Sequence, residues 1–298
     1  MPSRALLAPL ALLIAASIWG MVWYPYRLLE QVGLSGSLSS LLTYLLALLV
    51  LLLWYRRRVA WHASGNRLLL LAIAFTAGWT NLAYVLSVLQ GEIMRVLLLF
   101  YLAPLWTVLF ARLVLAEHAN VFGYLVVALS FIGAAVMLYD PARGLPFPAN
   151  GAEWLGLSAG VGFALTNVLS RRLKNVPAEI RAVWIFAGVV IITLPPLALE
   201  MNGVLANLAG LSASDWWLVV LTAGLLILAT LTAQYGLAHT AANRAIVILL
   251  MELVVAAIFS WLWAGELMGL REWLGGALII AASLFSGAME REPDTDHA

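Results

Sequence analysis

The stretch RVLLLFYLAPLWTVLFARLVLAE runs from Arg95 to Glu117 with one charge, Arg112, between its ends. A segment of this length that is apolar on every side has no face to give to water. It reads as a helix crossing a bilayer, which needs about 20 mostly apolar residues. Lipid also demands that each backbone polar group be satisfied within the segment, which a helix does by itself. Comparable segments recur at roughly 5–29, 36–55, 67–89, 93–115, 119–139, 152–172, 180–200, 215–238, 244–264 and 269–289. The expected fold is therefore an all-α integral membrane protein with ten transmembrane helices. Composition agrees: 64% of residues are hydrophobic and 10% charged, where soluble domains carry about 25% charged residues.

Several classes fall away at once. The chain has no cysteine, so disulfides and thiolate chemistry are excluded. A net charge of +1, with no basic run longer than Arg56-Arg57-Arg58, gives no reason to expect nucleic acid. The basic start and apolar stretch at the N-terminus resemble a signal peptide, but they run on into Trp19-Gly20-Met21-Val22-Trp23 without a cleavage pattern. This is read as the first span.

The longest connection, DPARGLPFPANGAEW from Asp140 to Trp154, holds three prolines and two glycines. It divides the chain into a first half, 1–143, and a second half, 151–290, followed by a polar tail at 291–298. Lysine and arginine in the connections set orientation. With the N-terminus in the cytoplasm, alternate connections collect twelve basic residues on the inside and four outside, accounting for all 16. Both termini are then cytoplasmic. Shifting the first half by 149 positions lays Arg95–Glu117 over RAIVILLMELVVAAIFSWLWAGE, matching Arg95 to Arg244, Leu113 to Leu262 and Glu117 to Glu266. Five spans per half, an odd number, force opposite orientations. The expectation is two inverted five-helix repeats, the arrangement many secondary transporters use around a midplane site.

These features carry a family resemblance. Ile18-Trp19-Gly20 in span 1, Tyr101-Leu102-Ala103-Pro104 in span 4, and Glu117 and Glu266 closing spans 4 and 9 resemble the drug/metabolite transporter superfamily, of the ten-helix EamA type. Met251-Glu252-Leu253 stands where that family often has Glu-Pro, so the second half departs from the pattern at Leu253. Within the superfamily the layout is most similar to the YddG-type exporters of aromatic amino acids. The resemblance implies a bacterial inner-membrane exporter whose central substrate cavity is built from both halves. Relatives move other amino acids, cationic drugs, sugars or nucleotide sugars.

Polar and aromatic residues deep in spans are the candidates to line such a cavity. Trp19, Trp23 and Tyr26 share one helical stripe, with Pro25 placed to loosen the helix beside them. Trp19 is a candidate substrate contact; packing and interfacial anchoring compete for the other two. Asn81 and Tyr84 lie one turn apart in span 3, and an amide in hydrocarbon needs a partner or water. Phe163 and Asn167 share a face of span 6, amid small and polar residues that suggest close packing or a wet cavity. In the repeat, Phe163 falls roughly opposite Trp19. Tyr235 and His239 share a face near the end of span 8; His239 is either structural or a proton carrier.

Glu252 is the single carboxylate deep inside a span. Intramembrane acids are functional candidates by default, either taking a proton or a cationic group or holding the helix through backbone groups. In span 4, Pro104 cannot donate to the carbonyl of Phe100 and marks a hinge. Tyr101, within about 60° of it around the helix, is a substrate-contact candidate, whereas Trp106, about 140° from Tyr101, is expected to pack.

No P-loop or ATP-binding motif occurs. The expected activity is gradient-driven or downhill export of small amphiphilic metabolites, plausibly aromatic and other amino acids, by a monomer in contact with lipid. Export of cationic drugs or other metabolites is the alternative. An integral membrane enzyme would need convergent acids, bases or metal ligands; the four histidines are scattered, and neither a metal site nor a cofactor is expected.

Overall fold

The computed structural model describes residues 4–62, 66–91, 93–118, 120–138, 148–199, 204–263 and 269–285. The joint between the halves lies largely outside the described residues, as do Glu266 and the 291–298 tail. The chain begins with α1 (Arg4–Gln31), α2 (Gly36–His62) and α3 (Arg67–Gln90). The next apolar stretch is divided into α4 (Ile93–Phe100), α5 (Ala103–Phe110) and a π-helical turn (Ala111–Leu115), and α6 (Val121–Leu138) follows. The second half contains α7 (Gly151–Arg172), α8 (Ala178–Leu199), the short α9 (Val204–Ala209) and α10 (Ala213–His239). It continues with α11 (Ala242–Leu249), α12 (Met251–Trp263) and α13 (Leu270–Phe285). No strand occurs among the described residues.

Six helical stretches are long and apolar enough to cross a membrane: Leu6–Gln31, Gly36–Tyr55, Arg67–Ser87, Ala178–Ala198, Ala213–His239 and Ala242–Trp263. Ala103–Leu115, Val121–Val136 and Trp273–Phe285 are shorter apolar helices. This is a multi-pass, all-helical membrane protein. Helix α7 has the length of a span but is diluted by small and polar residues, and those are the ones it buries: Gly156, Ala159, Gly160, Gly162, Thr166, Asn167 and Ser170. It faces protein, so its sequence need not satisfy lipid.

Between apolar helices in lipid there is no hydrophobic drive, and close approach of small residues takes its place. Helices α3 and α8 cross at Gly78 and Gly188; a Cβ at Gly188 would run into the carbonyl of Ala74. Buried hydroxyls are satisfied locally by their own helices. Thr43 Oγ1 donates to the Ser39 carbonyl at 2.8 Å, Thr193 to Val189 at 2.7 Å and Thr222 to Leu218 at 2.7 Å.

The main packing pairs join a helix before residue 143 to a helix after residue 150. Helix α1 lies against α10 and α12, α3 against α7 and α8, α2 against α8, and α6 against α13. Helices α4 and α5 rest on α7.

The break in span 4 sits where the sequence marks it, but proline is not its general cause. The α4–α5 chain turns at Tyr101-Leu102, and Pro104 stands at the start of α5. The α11–α12 chain breaks at Leu250, the position 149 residues on from Tyr101, without any proline. The carbonyl that Pro104 leaves without its helical donor, that of Phe100, presses on the place a Cβ on Gly160 would take. It is covered by α7. Pro25, by contrast, lies inside α1 without ending it.

Candidate functional site

Four helices and the α4–α5 turn bring a continuous file of rings to the interior. Trp19 of α1 meets Phe163 of α7 edge-on, with centroids 6.2 Å apart. Phe163 meets Phe100 of α4 at 5.5 Å. Phe100 in turn meets Tyr84 of α3 at 5.3 Å and its neighbour Tyr101 at 5.2 Å, both edge-on. Such separations are those at which ring quadrupoles attract, and edge-on pairs contribute about 0.5–1.5 kcal/mol beyond their burial. Phe163 packs against three separate clusters of buried side chains, one including Tyr101 and Leu250, one Ala103 and Ile246, and one Leu12 and Leu249.

The file ends on a carboxyl group. The Tyr101 and Glu252 side chains are within hydrogen-bonding reach of each other, and Tyr84 lies near the same group. Tyr101 is 7% exposed. Glu252 follows the break at Leu250 and lies in the first turn of α12, where the positive end of a helix favours a carboxylate. Its carbonyl lies where a Cβ on Gly20 would be, so α12 approaches α1 closely next to Trp19.

Asn81 lies one turn before Tyr84. Its amide is within hydrogen-bonding reach of Tyr44 on α2, and its Oδ1 is buried with no hydrogen-bond partner among the described residues. Asn167, 4% exposed, lies one turn beyond Phe163 with Nδ2 similarly unpartnered. Two amides with unused hydrogen-bonding atoms therefore flank the ring file, the type of group that fixes the orientation of a mostly apolar ligand.

Other sequence candidates lie elsewhere. The Tyr235 and His239 rings stack against each other at 4.5 Å, and His239 is exposed at the end of α10. Neither ring contacts the file. Tyr26 bonds Thr43 of α2 at 2.9 Å, and Trp23 meets Tyr24. Trp79 of α3 donates to Ser158 Oγ of α7 at 3.2 Å, and Trp106 stacks on Phe110 one turn along α5. Among the described residues no group of three potential ligands could hold a metal ion.

Two residues of the interior gave no sign in the sequence. Phe100 links Phe163 to both tyrosines, but one phenylalanine in an apolar run has no contrast with its neighbours. Arg181 counted only as a marker of membrane side. It is 1% exposed, and its guanidinium donates to the carbonyls of Ser170 and Gln234 at 2.5 Å each. It ties together α7, α8 and α10.

Residues 150–288 match the EamA-like transporter family. A protein from Archaeoglobus fulgidus named an uncharacterized transporter is 25% identical over 73% of this chain and 75% of its own length. A riboflavin transporter from Rhizobium johnstonii is 29% identical over 68% of this chain, a match that spans 64% of that protein, just under two thirds of its length. A crystal structure superposes with a TM-score of 0.75 over 95% of this chain and 99% of the other, at 17% identity. At that identity the likeness is one of fold.

Proposed function

We propose that this chain is a secondary transporter of the drug/metabolite superfamily, exporting small amphiphilic metabolites with an aromatic portion across a bacterial inner membrane. The observation that carries the reading is the ring file from Trp19 through Phe163 and Phe100 to Tyr84 and Tyr101, ending at Glu252. Flat apolar faces would hold the aromatic part of a solute. Asn81, Asn167 and the Tyr101–Glu252 pair would read its polar part. Aromatic amino acids fit this description. So does a flavin, a flat ring system with a polar tail, and one of the similar proteins is named a riboflavin transporter.

The mechanism proposed is alternating access between two inverted halves, 1–143 and 151–290. The packing supports it: α1 on α10 and α7 on α3 are the same pair of positions with the halves exchanged. Both fourth-span helices break at the same repeat position. Discontinuous helices at the junction of repeats are where transporters place their sites. The basic residues of the connections favour a cytoplasmic side for both termini.

A second reading, export of cationic solutes, is favoured by one observation, the carboxylate of Glu252 beside two phenols.

Purified protein in liposomes loaded with labelled aromatic amino acids, riboflavin and organic cations tests both. We expect an aromatic solute to cross at least ten times faster than in empty vesicles, with Glu252→Gln removing the pH dependence of the flux. Flux no faster than in empty vesicles for every solute rejects the transporter. Flux of cations alone selects the second reading. An unchanged pH profile in Glu252→Gln assigns that residue to holding α12.

A further inference from the structure

At the end of the bundle where α7 and α10 finish and α11 begins, a carboxylate and a guanidinium grip one corner of the chain from two sides. Glu117 Oε1 accepts from Arg171 Nε at 3.0 Å. Glu117 Oε2 accepts from the backbone N–H of Ala242, the first residue of α11, at 2.9 Å. Arg171 Nη1 donates to the carbonyl of Ala238, next to the last residue of α10, at 2.6 Å. The corner between α10 and α11 is thus held at the Ala238 carbonyl and at the first N–H of α11 by side chains from α7 and from the end of span 4.

The backbone before Glu117 is built to aim it. Leu115 ends the π-helical turn, and Ala116 adopts φ 55, the one non-glycine residue in the left-handed region among those described. Glu117 N then donates back to the Ala111 carbonyl at 3.2 Å. An alanine held at positive φ is unfavourable by about 1–2 kcal/mol relative to the ordinary helical region. Such strain persists only where the surroundings enforce it.

The ion pair is neither buried nor free: the two side chains are 19% and 25% exposed. A fully buried pair would be too costly to part, and a fully exposed one would hold little. Directly beneath lie Asn167, one turn before Arg171 on α7, and beyond it Phe163 of the ring file. Thr240 in the corner and Asn243 just past it are also buried, each with a side-chain oxygen that has no hydrogen-bond partner among the described residues. Polar atoms of this kind are satisfied by water when a chamber fills.

We propose that Glu117 and Arg171 form a latch that holds the α10–α11 corner closed over one end of the solute path and releases it when that end opens. The path itself rests on the transporter reading; the latch can be read without any solute. Because the chain has no cysteine, single cysteines report access directly. In membranes, a maleimide should label Asn167→Cys slowly, and several-fold faster when Glu117→Gln is added. Leu51→Cys, equally buried between α2 and its neighbours, should stay slow in both backgrounds. An unchanged rate at Asn167→Cys overturns the latch. A rise at both positions also overturns it, since the pair would then hold the fold as a whole.

A covalent version guards against a failed Glu117→Gln variant. Glu117→Cys and Ala242→Cys place two thiols at the ends of a contact now spanned by one glutamate side chain and one hydrogen bond, a gap for a short bifunctional maleimide whose spacer reduction cleaves. Cross-linking should abolish solute flux in proteoliposomes and reductive cleavage should restore it. Flux that continues through the cross-linked protein shows that the corner does not move, and the proposal falls. If the unsubstituted protein carries no solute at all, the transporter reading fails while the labelling experiment still decides the latch.

Discussion

Phe163 has rings of two other helices against it, Trp19 and Phe100, and two roles that different substitutions separate. As packing, its removal leaves a hole: Phe→Ala in a core is unfavourable by about 3–5 kcal/mol, while volume-conserving swaps cost less than about 1.5 kcal/mol. As a solute contact, what counts is the flat ring. We expect Phe163→Leu to remain monodisperse with a melting temperature within a few degrees of the parent, while half-saturation for an aromatic solute rises about tenfold, equivalent to about 1.4 kcal/mol. Binding curves measured beside melting curves decide: a lower melting temperature with unchanged half-saturation makes Phe163 a packing residue. The sequence marked both Trp19 and Phe163, because each is a large ring among small residues in a candidate span, one in each half of the chain. It did not mark Phe100, whose neighbours are equally large and apolar, nor Tyr44, whose approach to Asn81 depends on how α2 and α3 face each other. Periodicity is silent on such facing when helices are apolar all round. Tyr235 and His239 show the converse. They share a helix face, as i, i+4 spacing requires, yet that face lies away from the ring file, and spacing within one helix cannot say what a second helix puts opposite.

At the scale of elements, the broken helices separate local cause from architecture. Pro104 is sufficient to interrupt an α-helix, since it lacks an N–H and crowds the carbonyl of Phe100. Yet α11 and α12 part at the same repeat position with Leu250 and Leu253 in place. There the chain makes a tighter bond, Leu253 N to the Leu250 carbonyl at 3.0 Å, as helices do when they take a turn of 3₁₀ geometry. In the first half the carbonyl of Phe100 is pressed against Gly160, and that close approach has no proline requirement. Pro104→Ala is therefore expected to keep the break, the folded protein and flux of the parent's order. Gly160→Val should lose folded protein, because its new side chain meets backbone that cannot rotate away. Size-exclusion profiles of the detergent-solubilised variants, followed by flux where protein survives, give the answer. Intact but inactive Pro104→Ala would make proline itself the hinge. The sequence located the break because proline in a span is conspicuous; its twin in the second half was hidden, since VILLMELV holds neither proline nor glycine, and its one polar residue, Glu252, does not itself break a helix.

For the whole molecule, the sequence suggests a repeat but not how its parts would assemble. Arg95–Glu117 laid over Arg244–Glu266 implies two like halves, which by themselves are as compatible with two bundles side by side as with one interleaved bundle. The contacts are of the second kind: α1 lies on α10, α3 on α7 and α8, α2 on α8 and α6 on α13. Each of these pairs has one helix before residue 143 and one after residue 150, and the tight glycine crossings at Gly20, Gly78 and Gly160 span the same division. A half made alone would turn these small-residue faces to lipid. Lipid tails can cover them, but cannot supply the close backbone packing or the partners of Glu117, which lie in the other half. Arg181 binds only its own half, through Ser170 and Gln234; Glu117 depends on Arg171 and Ala242 of the other. The first half alone is therefore expected to be degraded, while the two halves, made together from a chain split after residue 147, should recover as one monodisperse complex. Recovery of flux in that complex, against none in either half, would be the full result. A first half that is stable and monodisperse by itself would mean that the packing across the division contributes little, and that each half is a bundle in its own right.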